Sequence, residues 1–599
     1  MRRYRNVLLV YPQVPQTTYW SFSHTMGFIG KKSAMPPLGL LTLAALFPSN
    51  CNLRLVDMNV TDLDPILVKW ADAVFVSAMI VQRASFNQVV ALCNEIGRPV
   101  VAGGPYATSN HPRIEGVDHF ILGEAEEIFA VFWKDFENGT AQRVYRCSRR
   151  PDLARSVMPR FDLLQLDAYA NMAVQYSRGC PFRCEFCDIW TVFGNHSRVK
   201  PAGRFIAEIE QLYRLGWRGS VFVVDDNFIG NRQRVKEELL PALIRWQADH
   251  DGVFQLFTEA SIDLADDRQL LEAMCQAGFN EVFVGIETPS AEGLQETGKL
   301  QNLATDLSQA VAIIQRHGME VTAGFIIGFD SDDPSIFDRQ IAFIQQAAIP
   351  KAMIGLLTAL PGTRLWARLR SQGRLLKESG GNNTHQAETN FITRLPREIL
   401  KTGYLRVLAT LYGGSLHNYF ARCSRLLDRI QERDHFQRSL QMKHLVIVAR
   451  SLLYQTISPY GLHYLGFLGR NLLKNRDLFG EAVRLAIQGH HFYTITRQAL
   501  AAERIRTRLE ERYQELCRQL KPLLQRALAN SRGTWDPVAR FWRISRSSFA
   551  DIRRRADQLP ADMAAEIRQR CEEVSAALLE KVARHEKDGY NLEVDLRQT

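Results

Sequence analysis

The chain has few of the features that mark secreted, disulfide-held or disordered proteins. It holds only ten cysteines in 599 residues, and apart from Cys180, Cys184 and Cys187 they are scattered, which excludes a disulfide scaffold and favours a reducing compartment. At the start, basic residues precede an apolar run of only Val7 to Tyr11, too short for a signal-peptide core and suited to a first core strand, so a cytoplasmic protein is expected. No internal repeat is detectable. With 46% hydrophobic and 23% charged residues, the composition argues against disorder and suits roughly two to four domains. The charge-free stretch from Ser451 to Gly469 approaches membrane-spanning length, but Gln455, Thr456, Ser458, Pro459 and Gly461 interrupt it. A buried or interfacial helical hairpin is therefore expected there, not a transmembrane helix. Acidic residues are scarce in one region. Residues 401–550 carry 25 Lys+Arg against 10 Asp+Glu, whereas residues 1–400 carry 40 against 43. That excess points to an anionic partner, a membrane surface or a solvated helical face.

What is present reads as three blocks. From Asn6 to about Phe129, strands are expected at Val7–Val10, Leu53–Val56, Val74–Ser77, Val100–Ala102 and His119–Leu122, separated by helices near Leu38–Phe47, Phe86–Ile96 and Glu124–Phe136. Continuous apolar strands alternating with helices imply a parallel sheet covered on both faces, a doubly wound α/β domain that binds ligands at the carboxyl ends of its strands. Turn formers crowd those ends: Pro36, Pro37 and Gly39; Gly103 and Gly104; Gly123 and Glu124. A polar stretch around Arg146 to Met158 reads as a linker. Six further strands follow, at Ala173–Tyr176, Val221–Val224, Gln255–Thr258, Val282–Ile286, Thr322–Ile327 and Met353–Leu357, with helices between them. Six βα units make a partial barrel, short of the eight that close one. The remainder reads as helical. The domains are thus expected at 1–145, 146–170 (linker), 171–380 and 381–599.

The strongest chemical signal is Ser177-Arg178-Gly179-Cys180-Pro181-Phe182-Arg183-Cys184-Glu185-Phe186-Cys187, three thiolates spaced C-x3-C-x2-C directly after the first barrel strand. Soft thiolates suit iron-sulfur clusters or zinc. A structural zinc site takes four protein ligands, and no fourth cysteine lies nearby. With three ligands, one iron of a four-iron cluster keeps an open position that could chelate the amino and carboxylate groups of S-adenosylmethionine. At the ends of later strands, Asp225, Asp226 and Asn227 offer acceptors for its ammonium and hydroxyls. Glu259 and Glu287 could accept from its ribose or ammonium, and Gly285, Gly324 and Gly328 would leave room for the adenosyl moiety. The alternative for each acid is a solvated carboxylate at a loop start.

The cysteine spacing resembles the radical S-adenosylmethionine superfamily, and the six βα units resemble its partial barrel. The first block is similar to the cobalamin-binding domain that precedes that barrel in one large subgroup. Within it the resemblance to the hopanoid C-2 methylase type is close, carried by Met35-Pro36-Pro37-Leu38-Gly39-Leu40, Gln175 to Ile189, Val224-Asp225-Asp226-Asn227, Thr258-Glu259-Ala260-Ser261, Phe283-Val284-Gly285-Ile286-Glu287 and Thr322 to Asp330. It covers roughly residues 5–420, and the last 70 or so residues look like an extension. The resemblance implies three cofactors: a four-iron, four-sulfur cluster on Cys180, Cys184 and Cys187, S-adenosylmethionine, and cobalamin held by Pro36, Pro37, Gly39, Gly103, Gly104, Gly123 and Glu124. It implies methylation of an unactivated carbon, in which a 5'-deoxyadenosyl radical removes hydrogen and the substrate radical takes a methyl group from methylcobalamin. One departure matters: the Asp-x-His-x-x-Gly motif that supplies histidine to cobalt in many such domains is absent. His24 and His111 are the remaining candidates, and cobalamin is expected to bind without a protein histidine on cobalt.

Two other functions compete. The same cofactors serve cyclisation or rearrangement without methyl transfer, and a cobalamin-binding sensor would need no cysteine triad. The expected partners are a small-molecule substrate, lipid or otherwise, an external electron donor and a peripheral membrane contact at the inner face. No nucleic acid is expected, because Cys51 and Cys93 are isolated and the C-terminus reads helical.

Overall fold

The computed structural model describes residues 5–147, 149–376, 381, 387–430, 442–529 and 536–583. They fall into two compact units, Met1–Tyr493 and Thr494–Thr599.

The first sheet of the larger unit comprises β1 (Asn6–Tyr11), β2 (Asn52–Asp57), β3 (Ala73–Ser77), β4 (Val100–Gly103), β5 (His119–Leu122) and β6 (Val144–Arg146). Its order is β2-β1-β3-β4-β5-β6, with every pair parallel. The alternation of side chains along a strand explains why β1 reads as continuously apolar. Leu8 and Val10 enter one core with Val74, Val76, Phe86 and Val89, while Val7 and Leu9 enter the opposite core with Leu40, Phe75, Phe132 and Trp133. Both faces are covered, as the sequence predicts. The strand order reverses between β1 and β3, the switch point where a crevice opens beyond the carboxyl ends.

Two local readings shift. The helix expected from Glu124 begins at Phe129, because Glu124 and Glu126 turn away into ion pairs described below. Arg146, expected to open the linker, ends β6, a three-residue strand with only Tyr145 buried and hence no apolar run to read. The linker is fastened to the barrel: Arg198 Nη1 donates to the Pro151 carbonyl at 2.9 Å, and Arg204 Nη1 to that of Ser156 at 2.7 Å.

The second sheet contains β7 (Asn171–Val174), then β10 (Ser220–Val223), β11 (Leu256–Ala260), β12 (Phe279–Glu287), β13 (Glu320–Ile327) and β14 (Ala352–Leu356). A short antiparallel pair, β8 (Ser177–Arg178) with β9 (Arg198–Val199), stands beside it. The order β14-β13-β12-β11-β10-β7 is wholly parallel, and among the described residues no pairing joins β14 to β7, so the barrel is partial. Helices cover its outside, several capped by acids: Asp267 accepts from Leu270 N at 3.0 Å, and Asp306 from Ser308 N and Gln309 N at 3.0 and 3.1 Å. Such caps satisfy amides that the first helical turn leaves free.

Beyond the barrel, helix Arg397–Tyr412 closes against β14, with Tyr404 Oη donating to the Ile354 carbonyl at 3.1 Å and Tyr412 Oη to that of Ala352 at 2.7 Å. Helices Met442–Thr456 and Gly461–Lys474 are the hairpin expected at Ser451–Gly469. Helix Phe479–Ala529 runs into the second unit, whose core of Leu509, Leu516, Leu520, Trp542, Phe549, Ile567 and Val574 joins it to Asp536–Ala556 and Ala561–Ala583. No helix among the described residues is long and apolar enough to cross a membrane. Of the expected boundaries, residue 380 lies outside the described residues, as does the end of the extension at 584–599.

Candidate active site

The cysteine loop begins with a backbone demand. Gly179 has φ +92°, and a Cβ there would stand 2.6 Å from the His196 carbonyl oxygen and 2.9 Å from that of Gly194. Only glycine fits so close an approach, and it lets Cys180 N donate to the Gly194 carbonyl at 3.2 Å. Farther along, Trp190 Nε1 donates to the Cys184 carbonyl at 3.1 Å. Arg368 grips Glu185 with two bonds of 2.6 and 2.9 Å while its third nitrogen holds Asp330 at 2.9 Å. The loop is thereby tied to the end of β13.

Burial raises all three thiols, and Lys299 pulls each of them back down. Among the described residues no three Cys, His, Asp or Glu side chains meet at coordinating distance, so the test of fit is donor chemistry. Three soft donors from one loop, sharing the field of one buried ammonium, match a cluster that carries negative charge. Lys299 is absent from the sequence reading. Its Nζ lies 2.6 Å from Glu287 Oε1, and although burial opposes its charge, Glu287 and the thiols outweigh that and hold it protonated. No local spacing signals this pair, because it spans the loop after β12.

The acids of the strand ends divide by what they already hold. Both oxygens of Asp225 are occupied by the backbone, accepting from Tyr176 N and Ser177 N at 2.7 Å each, and burial raises its pKa to about 7. Asn227 Oδ1 accepts from Ser261 N at 3.3 Å. These two shape the loops. Asp226 accepts from Gly179 N at 3.1 Å and is raised to about 6 by burial. Glu259 differs: its carboxylate makes no hydrogen bond or ion pair among the described residues, and burial followed by Asp226 and Asp225 lifts it to about 8. A desolvated acid without a partner fits an ammonium or hydroxyl supplied by a ligand.

The glycines divide as well. A Cβ at Gly285 would lie 2.4 Å from Glu287 Oε1 and 2.6 Å from Lys299 Nζ, so this glycine makes way for the ion pair. At Gly324 the nearest atom is Phe283 Cζ at 3.0 Å. Gly328 N donates to Asp332 Oδ2 at 2.7 Å in a left-handed turn.

In the first domain, Pro36 and Pro37 are buried and precede helix Leu38–Ala44. Gly104, at φ +80°, has Ser77 Oγ only 2.4 Å from where a Cβ would sit, so β4 turns tightly against β3; Gly39 and Gly123 face open space. Bare backbone bordering open space at a switch point fits a bulky ligand such as cobalamin. Glu124 holds Arg178 at 2.7 Å and Arg198 at 2.6 Å, and Glu126 holds the other Arg178 nitrogen at 2.7 Å. The loop after β5 is thus bonded to the strand leading into the cysteine loop, a junction the sequence reading assigned to ligand binding through Glu124 alone. His24 lies tilted against His491, centroids 5.6 Å apart, and His111 packs on Phe120 at 5.9 Å.

A segment between β1 and helix Leu38–Ala44 also reaches the barrel. Trp20 lies 5.3 Å from the Phe283 ring and 6.2 Å from that of Phe222, which stacks on Phe257 at 4.7 Å. These aromatics stand on β10, β11 and β12, one of them two residues before Glu259.

Residues 174–339 match the radical SAM superfamily model, residues 31–132 the B12 binding domain model and residues 363–504 a domain of unknown function. An uncharacterised methyltransferase of Synechocystis is 42% identical over 417 residues, 69% of this chain and 77% of that protein. The hopanoid C-2 methylase of Rhodopseudomonas palustris is 36% identical over 379 residues, 62% of this chain and 72% of that one. In fold, the chain is similar to a radical S-adenosylmethionine methyltransferase of Kitasatospora setae solved with cobalamin and an iron-sulfur cluster. The TM-score is 0.51 at 16% identity, over 81% of this chain and 99% of that one.

Proposed function

The chain belongs to the cobalamin-dependent radical S-adenosylmethionine methyltransferase family, and on that premise we propose that it methylates an unactivated carbon of an apolar, hopanoid-like substrate. The observation that carries the substrate class is the wall of Trp20, Phe222, Phe257 and Phe283 beside Glu259, a surface suited to a large apolar body with few polar groups. The hopanoid C-2 methylase relative supports the same class.

The family's cofactors are a four-iron cluster, S-adenosylmethionine and cobalamin; when bound, they supply radical initiation and the methyl group. In this reading Cys180, Cys184 and Cys187 hold the cluster, and Lys299 offsets its charge. Glu259 accepts from the ammonium or ribose of S-adenosylmethionine, with Asp226 beside it. Asp225 and Asn227 fix the loops that present these groups, and Glu287 positions Lys299. Pro36, Pro37, Gly39, Gly103, Gly104 and Gly123 form the cobalamin bed, and Glu124 locks that bed to the barrel through Arg178. His24 and His111 do not ligate cobalt. Nitrogen coordination in bound hydroxocobalamin that disappears in His24→Ala or His111→Ala would reject this assignment. We place the domains at 1–145, 171–380 and 381–599 with a linker between the first two. An external electron donor and a cytoplasmic, peripheral position at the inner membrane face complete the proposal.

The test is product stoichiometry. Each methylation should release one S-adenosylhomocysteine and one 5'-deoxyadenosine, with deuterium from the reacting carbon appearing in the latter. Release of 5'-deoxyadenosine with an unmethylated product would establish the cyclisation or rearrangement alternative instead. Extracts of cells with and without the gene, compared for features differing by one methylene, identify the substrate.

A further inference from the structure

The hairpin of helices Met442–Thr456 and Gly461–Lys474 buries polar side chains and exposes large apolar ones. Its polar residues Ser451, Gln455 and Asn471 are each 0% exposed. They are satisfied internally: Ser451 Oγ lies 2.8 Å from Tyr464 Oη, Gln455 Nε2 donates to Ser451 Oγ at 2.9 Å, and Asn471 Nδ2 donates to the Phe467 carbonyl at 2.8 Å. Tyr464, Phe467 and Leu468 are buried with them, but other large apolar residues face outward. Leu453 is 67% exposed, Ile457 82%, Leu462 86% and Leu473 84%, joined by Leu445 and Leu465. The spacing makes these continuous faces, since Leu445 and Leu453 lie two helical turns apart, as do Leu465 and Leu472 within one residue. Water-facing helices show the reverse pattern, and an apolar patch of this extent marks an interaction surface.

The charges around it select the partner. Between Asp434 and Asp477 the sequence has no Asp or Glu and six Lys or Arg. Arg450, three residues before Leu453, reaches back to the Gly27 and Phe28 carbonyls at 3.4 Å, while Arg470 and Lys474 share Asp428 at 2.6 and 3.1 Å. A second copy of this chain would bring one basic rim, with Asp428 its paired acid, against another of the same sign, which like charge disfavours. An anionic bilayer offers both the apolar interior and the opposite charge. Among the described residues neither helix is long enough to cross: they have 15 and 14 residues, rising about 22 Å against a hydrocarbon thickness of about 30 Å.

We infer that this hairpin is a bilayer-docking element that seats its leucine face among the acyl chains of an anionic membrane. It deepens the peripheral position proposed above, on which it does not depend for its observations. The docking face adjoins the segment that carries Trp20: Phe28 packs edge-on against Tyr454 at 5.8 Å. Docking would therefore bring the aromatic wall of the barrel close to a lipid supply.

Flotation of the full-length protein with phosphatidylcholine vesicles, with and without phosphatidylglycerol, tests this without substrate or cofactor. The protein should float with anionic vesicles and much less with neutral ones. Combined Leu453→Glu, Ile457→Glu, Leu462→Glu and Leu473→Glu should lower binding at least about tenfold with unchanged circular dichroism. Ile457→Glu alone, at the exposed turn, should lower it several-fold and covers the case in which the fourfold variant fails to fold. A wild type that stays unbound, or variants that float equally well, overturns the inference. So does sedimentation showing a dimer that the variants dissociate while vesicles bind neither form. Because binding is scored without turnover, it can hold while the proposed methylation fails, and the reverse.

Discussion

Removing the Arg178 side chain should loosen the junction between the first domain and the cysteine loop. Its guanidinium meets Glu124 and Glu126 at 2.7 Å each and Gln175 Oε1 at 2.8 Å. The three charged side chains are only 11%, 5% and 14% exposed, so water screens little of the interaction. Burial works to raise Glu126, and Arg178 more than offsets it, holding the carboxyl below its usual range. Arg178→Ala leaves one carboxylate uncompensated and a second with only Arg198 at 2.6 Å. Breaking a buried pair by deleting one partner costs about 3–5 kcal/mol, and the surviving Arg198 contact places this case at the lower end. Urea unfolding followed by a signal from the larger unit should show that loss. A cycle with Glu126→Gln should return a coupling of about 1–3 kcal/mol, and the triple variant Arg178→Met, Glu124→Gln, Glu126→Gln should recover most of the stability. A loss under about 0.5 kcal/mol, the usual size for a surface change, or a cycle without coupling, would refute the reasoning.

Three further outcomes are expected. Anaerobically reconstituted protein should hold one four-iron cluster that is lost in Cys180→Ala, Cys184→Ala or Cys187→Ala and kept in Cys275→Ala, whose thiol donates to the His317 carbonyl at 2.8 Å; stoichiometric zinc would sink this. Gly285→Ala should displace the Lys299–Glu287 pair, since its Cβ would fall within 2.6 Å of both groups, and cost about 1–3 kcal/mol by overpacking, read as a lowered thermal midpoint. Asp332 has its pKa raised to about 6 by burial, so its protonated form is favoured in the folded state. Its contribution is complete below the unfolded value near 4 and is lost as pH rises through 6. The span is about 3 kcal/mol at ~1.4 kcal/mol per unit, and Asp332→Asn should flatten stability across that window; an unchanged slope would reject the assignment.

Both sheets were legible because their strands are buried on two faces. Val7 to Val10 and Val221 to Val223 write continuous apolar runs, and the intervening helices write their own period. β6 was not, since a three-residue edge strand with one buried side chain has no pattern to show. The cysteine triad was legible because its spacing is local. Lys299 and Arg178 were missed for the opposite reason: their partners are 12 and about 50 residues away, and only the fold brings them together. The strand-end acids show a subtler limit. Asp225, Asp226, Asn227 and Glu259 look equivalent as letters, yet the backbone claims Asp225 and Asn227 and leaves the Glu259 carboxylate without a partner among the described residues.

That division explains how one barrel end can be both rigid and receptive. A carboxylate whose two oxygens each accept a backbone N–H holds its loop in one geometry and has little capacity left for a ligand. A neighbouring acid without such bonds bears the desolvation cost alone until a cation or hydroxyl arrives, and that cost is what a ligand relieves. Asp225 follows β10 and Glu259 stands on the adjacent β11, and the charge of Asp225 helps raise the Glu259 pKa. The loop-holding acid therefore also sharpens the preference of the free one for an ammonium. Lys299 pulls the Glu259 pKa down, but its ammonium bonds Glu287 at 2.6 Å, and Glu259 stays raised to about 8. Under the proposed assignment, the ammonium of S-adenosylmethionine brings the further positive charge to Glu259.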